Sequence, residues 1–138
     1  MPNQNDRVII DTNLWISFLL TKDLSKFDAI IADELITLVF CQELIDEFVA
    51  VTQRSKFKKY FDLDDVESLL LKIRHRAIFV EVKTTVTACR DPKDNFLLAL
   101  SIDANATHLI TGDKNLLILK KYGRTKILTI AEYLSTFQ

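Results

Sequence analysis

The sequence predicts an α/β protein whose parallel sheet carries helices on both faces, and three observations carry that expectation. Short β-branched or aromatic runs recur at Arg7–Ile10, Ile36–Phe40, Ala77–Val82, His108–Thr111 and Lys126–Ile130. The segments between these five runs repeat their apolar residues with helical period. Alternation of the two is the pattern of strands joined by crossover helices.

The first run, Arg7-Val8-Ile9-Ile10, ends abruptly at Asp11, which places that acid at the carboxyl end of a buried strand. In open α/β sheets ligands sit at that edge. The segment Gln42–Gln53 reads as a helix with Leu44, Phe48, Val51 and Thr52 on its inner stripe. Of its acids, Glu47 lies nearest the stripe, Glu43 one step further out, and Asp46 faces solvent. From Asp62 to Arg76, Val66, Leu69, Leu70, Ile73 and Ala77 are spaced by three and four, with acids in the first turn and Lys72, Arg74, His75 and Arg76 at the end. Both ends of that helix macrodipole are complemented.

Asp91-Pro92-Lys93-Asp94 has the grammar of a helix start, with Asp91 as N-cap, Pro92 at the first helical position and Asp94 reaching back as a capping-box acid. Yet the helix it opens is apolar nearly all round, and Asp94 falls between Leu97 and Leu98 on the wheel. An acid pointing into packed structure needs a partner. Leu109-Ile110-Thr111-Gly112-Asp113 repeats the pattern of the first strand, ending at an acid just before Lys114-Asn115-Leu116-Leu117 begins a helix. Loops are expected around Thr21–Asp23, Ser55–Leu63, Lys83–Pro92 and Tyr122–Thr125. No repeat, low-complexity tract or linker divides the chain, so one domain is expected over residues 1–138.

Composition narrows the chemistry. The chain has 138 residues, 49% hydrophobic and 27% charged, with a formal charge of -1. Its two glycines, Gly112 and Gly123, cannot form a dinucleotide-binding fingerprint or a phosphate loop, and no G-x-S-x-G elbow occurs. The polar start and the early interruption by Asp11 and Asn13 predict neither a signal peptide nor a membrane span, hence a cytoplasmic protein. Cys41 and Cys89 lack the C-x-x-C or H-x-x-x-H pairing of a zinc site and read as small buried hydrophobes.

Asp11, Glu47, Asp94 and Asp113 thus come from separate segments and point toward one sheet edge. Each has an ordinary alternative: Asp11 and Asp113 as helix caps, Asp94 as a capping-box acid, Glu47 as a boundary residue reaching water. Several like charges in one partly buried cleft raise one another's pKa unless a cation balances them. No lysine stands among them as an internal counterion, although Lys93 and Lys114 are neighbours along the chain. An all-oxygen carboxylate set suits Mg²⁺ or Mn²⁺ rather than zinc.

These motifs, Val8-Ile9-Ile10-Asp11-Thr12-Asn13, Glu47 in its Glu-Leu-Ile-Asp-Glu-Phe helix, Asp91-Pro92-Lys93-Asp94 and Thr111-Gly112-Asp113-Lys114, resemble the PIN domain family. The branch they look closest to comprises VapC-related toxin components of type II toxin–antitoxin systems. The resemblance runs from Arg7 to about Leu134, with Ile127–Leu134 matching the closing strand and helix. It implies a three-layer α/β/α sandwich with a central, mostly parallel five-stranded sheet. It also implies a Mg²⁺- or Mn²⁺-dependent ribonuclease whose acids are Asp11, Glu47, Asp94 and Asp113, supported by Asn13 and Thr111, with Asp91 alongside. It further implies a cognate antitoxin and a homodimer. The family often carries an acid just before the fourth strand, where this chain has Ala106-Thr107-His108.

An acidic site repels RNA, so substrate binding needs bases outside it. Residues 54–60 hold Arg54, Lys56, Lys58 and Lys59, residues 114–126 hold Lys114, Lys120, Lys121, Arg124 and Lys126, and neither stretch contains an acid. Phe57 and Tyr60 interleave with the first set, placed either to stack on unpaired bases or to pack inward. Two other readings compete with the nuclease. One is a catalytically silent PIN-like interaction module whose acids only cap helices. The other is a strand-end-aspartate phosphatase, whose pattern wants an acid where Asn13 stands.

Overall fold

The computed structural model describes residues 6–21, 25–54, 59 and 62–136. In chain order the elements are β1 (Arg7–Ile10), α1 (Thr12–Thr21), α2 (Ser25–Ile31), β2 (Thr37–Phe40), α3 (Gln42–Gln53), α4 (Leu63–Arg76) and β3 (Ala77–Phe79). They continue with α5 (Pro92–Asp103), β4 (His108–Ile110), α6 (Lys114–Leu117), β5 (Lys121–Tyr122), β6 (Thr125–Leu128) and α7 (Ile130–Leu134). The strands form one sheet in the order β3-β2-β1-β4-β6-β5, flanked by helices. All neighbours are parallel except β5 with β6.

The sheet therefore has six strands, not the five expected. The extra one is the two-residue β5, Lys121–Tyr122, which runs up to and into the start of the stretch expected to be a loop. Tyr122 pairs with Thr125 across Gly123, whose φ of 59° supplies the left-handed conformation that a two-residue hairpin turn needs. A second difference concerns Ala77–Val82, where the strand stops at Phe79. Just beyond, the N–H groups of Lys83 and Thr84 donate to the Asp103 carboxylate at the end of α5, so the chain leaves the sheet and follows that helix.

Strand β1 is central, and Val8, Ile9 and Ile10 are buried, as befits a parallel strand covered on both faces. Trp15 locks α1 onto it: its indole N–H donates to the Ile10 carbonyl at 3.2 Å, and its ring meets Phe27 edge-on with centroids 4.3 Å apart. Going outward from β1, the chain visits β2 on one side and β4 on the other. The strand order thus reverses between β1 and β4, whose carboxyl ends open a crevice at that switch point.

The opposite edge is closed by a buried polar latch. The Tyr133 hydroxyl of α7 donates to the Asp6 carboxylate at 2.8 Å, and His108 lies 3.8 Å from the same oxygen and edge-on to the Tyr133 ring. Burial holds the His108 imidazole below its usual pKa, Asp6 opposing and Lys126 reinforcing that shift. Ala106-Thr107-His108, where the resemblance leads one to expect an acid, sits at the far end of β4 from Thr111. Among the described residues no helix is long and apolar enough to cross a membrane. Cys41 is buried and its thiol is pushed up to about 11 by burial, while Cys89 is only partly buried.

The latch yields a stability prediction. Tyr133→Phe leaves a buried carboxylate without its hydroxyl donor and is expected to lower unfolding stability by about 1–2 kcal/mol in urea titrations. An unchanged midpoint would show that the bond contributes nothing net.

Candidate active site

Strand pairing sets the geometry of the crevice. The Asp11 N–H continues the β1–β4 ladder by donating to the Ile110 carbonyl at 2.9 Å, which fixes Asp11 beside Thr111. The Thr111 hydroxyl, fully buried, then donates to Asp11 Oδ2 at 2.8 Å and accepts from the Asp113 N–H at 3.0 Å. One threonine thus ties the acid after β1 to the acid after β4. The other Asp11 oxygen accepts from the Asn13 N–H at 3.1 Å, so Asn13 supports Asp11 through its backbone.

The crevice holds a cavity of about 320 Å³ whose wall includes Asp11, Asn13, Glu47, Asp91, Asp94 and Asp113. The four acids of the sequence reading are thus brought together, with Asp91 and Asn13. Glu43 also lines the wall, one helical turn before Glu47. The sequence reading set Glu43 aside as too far from the apolar stripe; its (i, i+4) relation to Glu47 was the available signal. Six carboxylates therefore face one described cation, Lys93, whose ammonium sits 3.0 Å from Glu47. That ion pair corrects the expectation that no lysine stands among the acids. Both partners are partly exposed, so the pair contributes little to stability.

The capping alternatives divide the acids. Asp91 accepts from the Lys93 N–H, Asp113 from the Asn115 N–H, and Asp11 from the Asn13 N–H, so these three serve as local caps. Asp94 does not close the expected capping box. It is 4% exposed, and its Oδ2 is buried with no hydrogen-bond partner. Burial raises its pKa to about 6, helped by the neighbouring Asp113 carboxyl and by the charges of Asp91 and Asp11. Asp11 is raised too, by burial, against the lowering effect of its Asn13 and Thr111 bonds.

An unpartnered carboxylate oxygen among other carboxylates is a poor arrangement for the protein alone and a good one for a hard cation, which takes oxygen donors. Among the described residues, no three His, Cys, Asp or Glu side chains already form a coordinating group. Glu47 is turned to Lys93, and Asp11 and Asp113 each hold a backbone N–H. The donor set fits Mg²⁺ or Mn²⁺, and it would have to draw together to hold either one.

The bases assigned to RNA are elsewhere. Arg54 is exposed at the end of α3, Lys59 is exposed, and Lys114 is exposed at the start of α6; none lines the cavity. Lys56, Lys58, Phe57 and Tyr60 lie outside the described residues.

The raised Asp94 pKa gives a signed pH dependence. The folded state holds this proton more tightly than the unfolded chain, so metal-free stability falls as pH rises from about 4 through about 6. In EDTA at pH 7.5, Asp94→Asn is expected to be more stable than wild type by about 1–2 kcal/mol, the difference closing toward pH 4. Differential scanning calorimetry reads it; a destabilised Asp94→Asn would mean that the carboxylate is structural.

No curated protein matches the sequence. A family model described as PIN domain matches residues 7–115, from β1 through the acid after β4, and leaves β5, β6 and α7 uncovered. PIN domains are generally nucleases and typically use divalent metals, and the chain belongs to the PIN domain family.

Proposed function

We propose that this protein is a Mg²⁺- or Mn²⁺-dependent endoribonuclease acting on single-stranded RNA, the toxin of a toxin–antitoxin pair working in the cytoplasm. The observation that carries the reading is the buried, unpartnered Oδ2 of Asp94 in a carboxylate-lined cavity at the sheet's switch point. A purely structural acid would have been capped or solvated.

When bound, the metal supplies an activated water and stabilises charge on the scissile phosphate. Asp11, Asp94 and Asp113 would hold it. Thr111 keeps Asp11 in one orientation, so that carboxylate is placed before any ligand arrives. Glu47, on α3, lines the same cavity as the strand-end acids and would orient the water or take its proton. Lys93 neutralises Glu47 in the present arrangement and is the group that must move for Glu47 to act. The basic residues Arg54, Lys56, Lys58, Lys59 and Lys114 supply phosphate contacts along the RNA path. A partner antitoxin carrying an arginine or lysine into the cavity would meet six carboxylates, which supports inhibition by charge neutralisation. A homodimer is part of the same proposal.

The caps made by Asp11, Asp91 and Asp113 favour a second reading, a silent interaction module, and one assay separates the two. Purified wild type with Mn²⁺ is expected to cleave single-stranded RNA, with Asp11→Asn and Asp94→Asn each slower by about a hundredfold or more. Equal cleavage by all three, or none by wild type, favours the module.

A further inference from the structure

A second cavity, of about 270 Å³, adjoins the acidic one and shares Pro92 and Phe96 with it. Its remaining wall is Thr84, Thr85, Val86, Asn95 and Ala99, so no charged side chain lines it among the described residues. The wall opposite α5 is irregular chain, and irregular chain is ordinarily a poor template for a ligand. Here it is strapped to α5 at both ends. Near the end of α5, Asp103 accepts from the Lys83 N–H at 2.6 Å, the Thr84 N–H at 2.9 Å and the Thr84 hydroxyl. Near its start, the Asn95 amide accepts from the Cys89 N–H at 2.7 Å and donates to the Cys89 carbonyl at 2.8 Å.

These two clamps hold a neutral pocket with an aromatic edge beside a ring of acids. RNA at the acidic cavity must place its scissile phosphate there and its bases somewhere uncharged. We propose that this second cavity is a base subsite, in which one nucleobase next to the cleaved phosphate packs on Phe96 against the Thr84-Thr85-Val86 strap; the inference rests on the nuclease reading above. A flat, uncharged base suits a wall of one aromatic ring beside the uncharged side chains of Thr85, Val86 and Ala99. Stacking is tolerant of sequence, so the subsite fixes the register of the strand more than the identity of the base.

The test is a scan in which single-stranded RNA carries one abasic nucleotide at each position around the cleaved bond, assayed on the full chain with Mn²⁺. Wild type is expected to lose about tenfold in kcat/KM, chiefly through KM, when one position beside the bond is abasic. Phe96→Leu should lose about tenfold on intact RNA and lose nothing more at that position, whereas Phe96→Tyr should behave as wild type. Cleavage that is indifferent to every abasic position, or a Phe96→Leu defect undiminished on the abasic RNA, overturns the subsite and leaves the nuclease standing. If Phe96→Leu does not fold, the wild-type scan decides by itself. Absence of any cleavage that Asp94→Asn removes overturns both readings together.

Discussion

The pairing of β1 with β4, completed by the bond from the Thr111 hydroxyl to Asp11, is the constraint on which the acidic crevice depends. The ladder brings two strand ends to one level, and the threonine converts that level into an orientation for a carboxylate. Because its oxygen also accepts from the Asp113 N–H, the acid after β4 is placed by the same atom. The chain reverses its direction of sheet growth between these strands, which leaves a crevice outside their carboxyl ends. Helices α3 and α5 bring Glu47 and Asp94 to it instead.

This economy has an electrostatic consequence. Asp11, Asp91 and Asp113 each hold a backbone N–H at the start of a helix or turn, which makes part of their charge useful to the fold. Asp94 has no such compensation, and its neighbours are mainly other acids. The metal-free molecule limits the repulsion by raising the pKa of Asp94 and by pairing Glu47 with Lys93. Both measures are undone by a divalent cation, which favours ionised carboxylates and competes with an exposed ammonium. The absence of a ready-made coordinating group among the described residues and the crowding of carboxylates around the cavity are therefore two sides of one balance.

Much of this was legible in the sequence, for reasons that can be named. The abrupt ends of two apolar runs at Asp11 and near Asp113 located the sheet edge, because a buried strand cannot carry an ionised side chain further in. The wheel of α5 identified Asp94 as the acid without a surface. What remained hidden depended on contacts between distant segments. The Lys93–Glu47 pair joins two helices whose packing no local pattern encodes. The Asp103 carboxylate, some twenty residues further along the chain, holds the N–H groups of Lys83 and Thr84 beyond β3, a contact that no local pattern encodes. Strand β5 is too short to show a period at all.

The central claim is that the crevice is built for a divalent cation and that Asp94 is its least compensated donor. Binding of Mn²⁺ at pH 7.5, followed by the electron paramagnetic resonance signal of the free ion, tests this without reference to any substrate. The account predicts saturable binding by wild type, and binding at least tenfold weaker in Asp94→Asn although that variant is folded. Wild type that leaves the free-ion signal unchanged at millimolar Mn²⁺, or equal affinity in the two proteins, would contradict it.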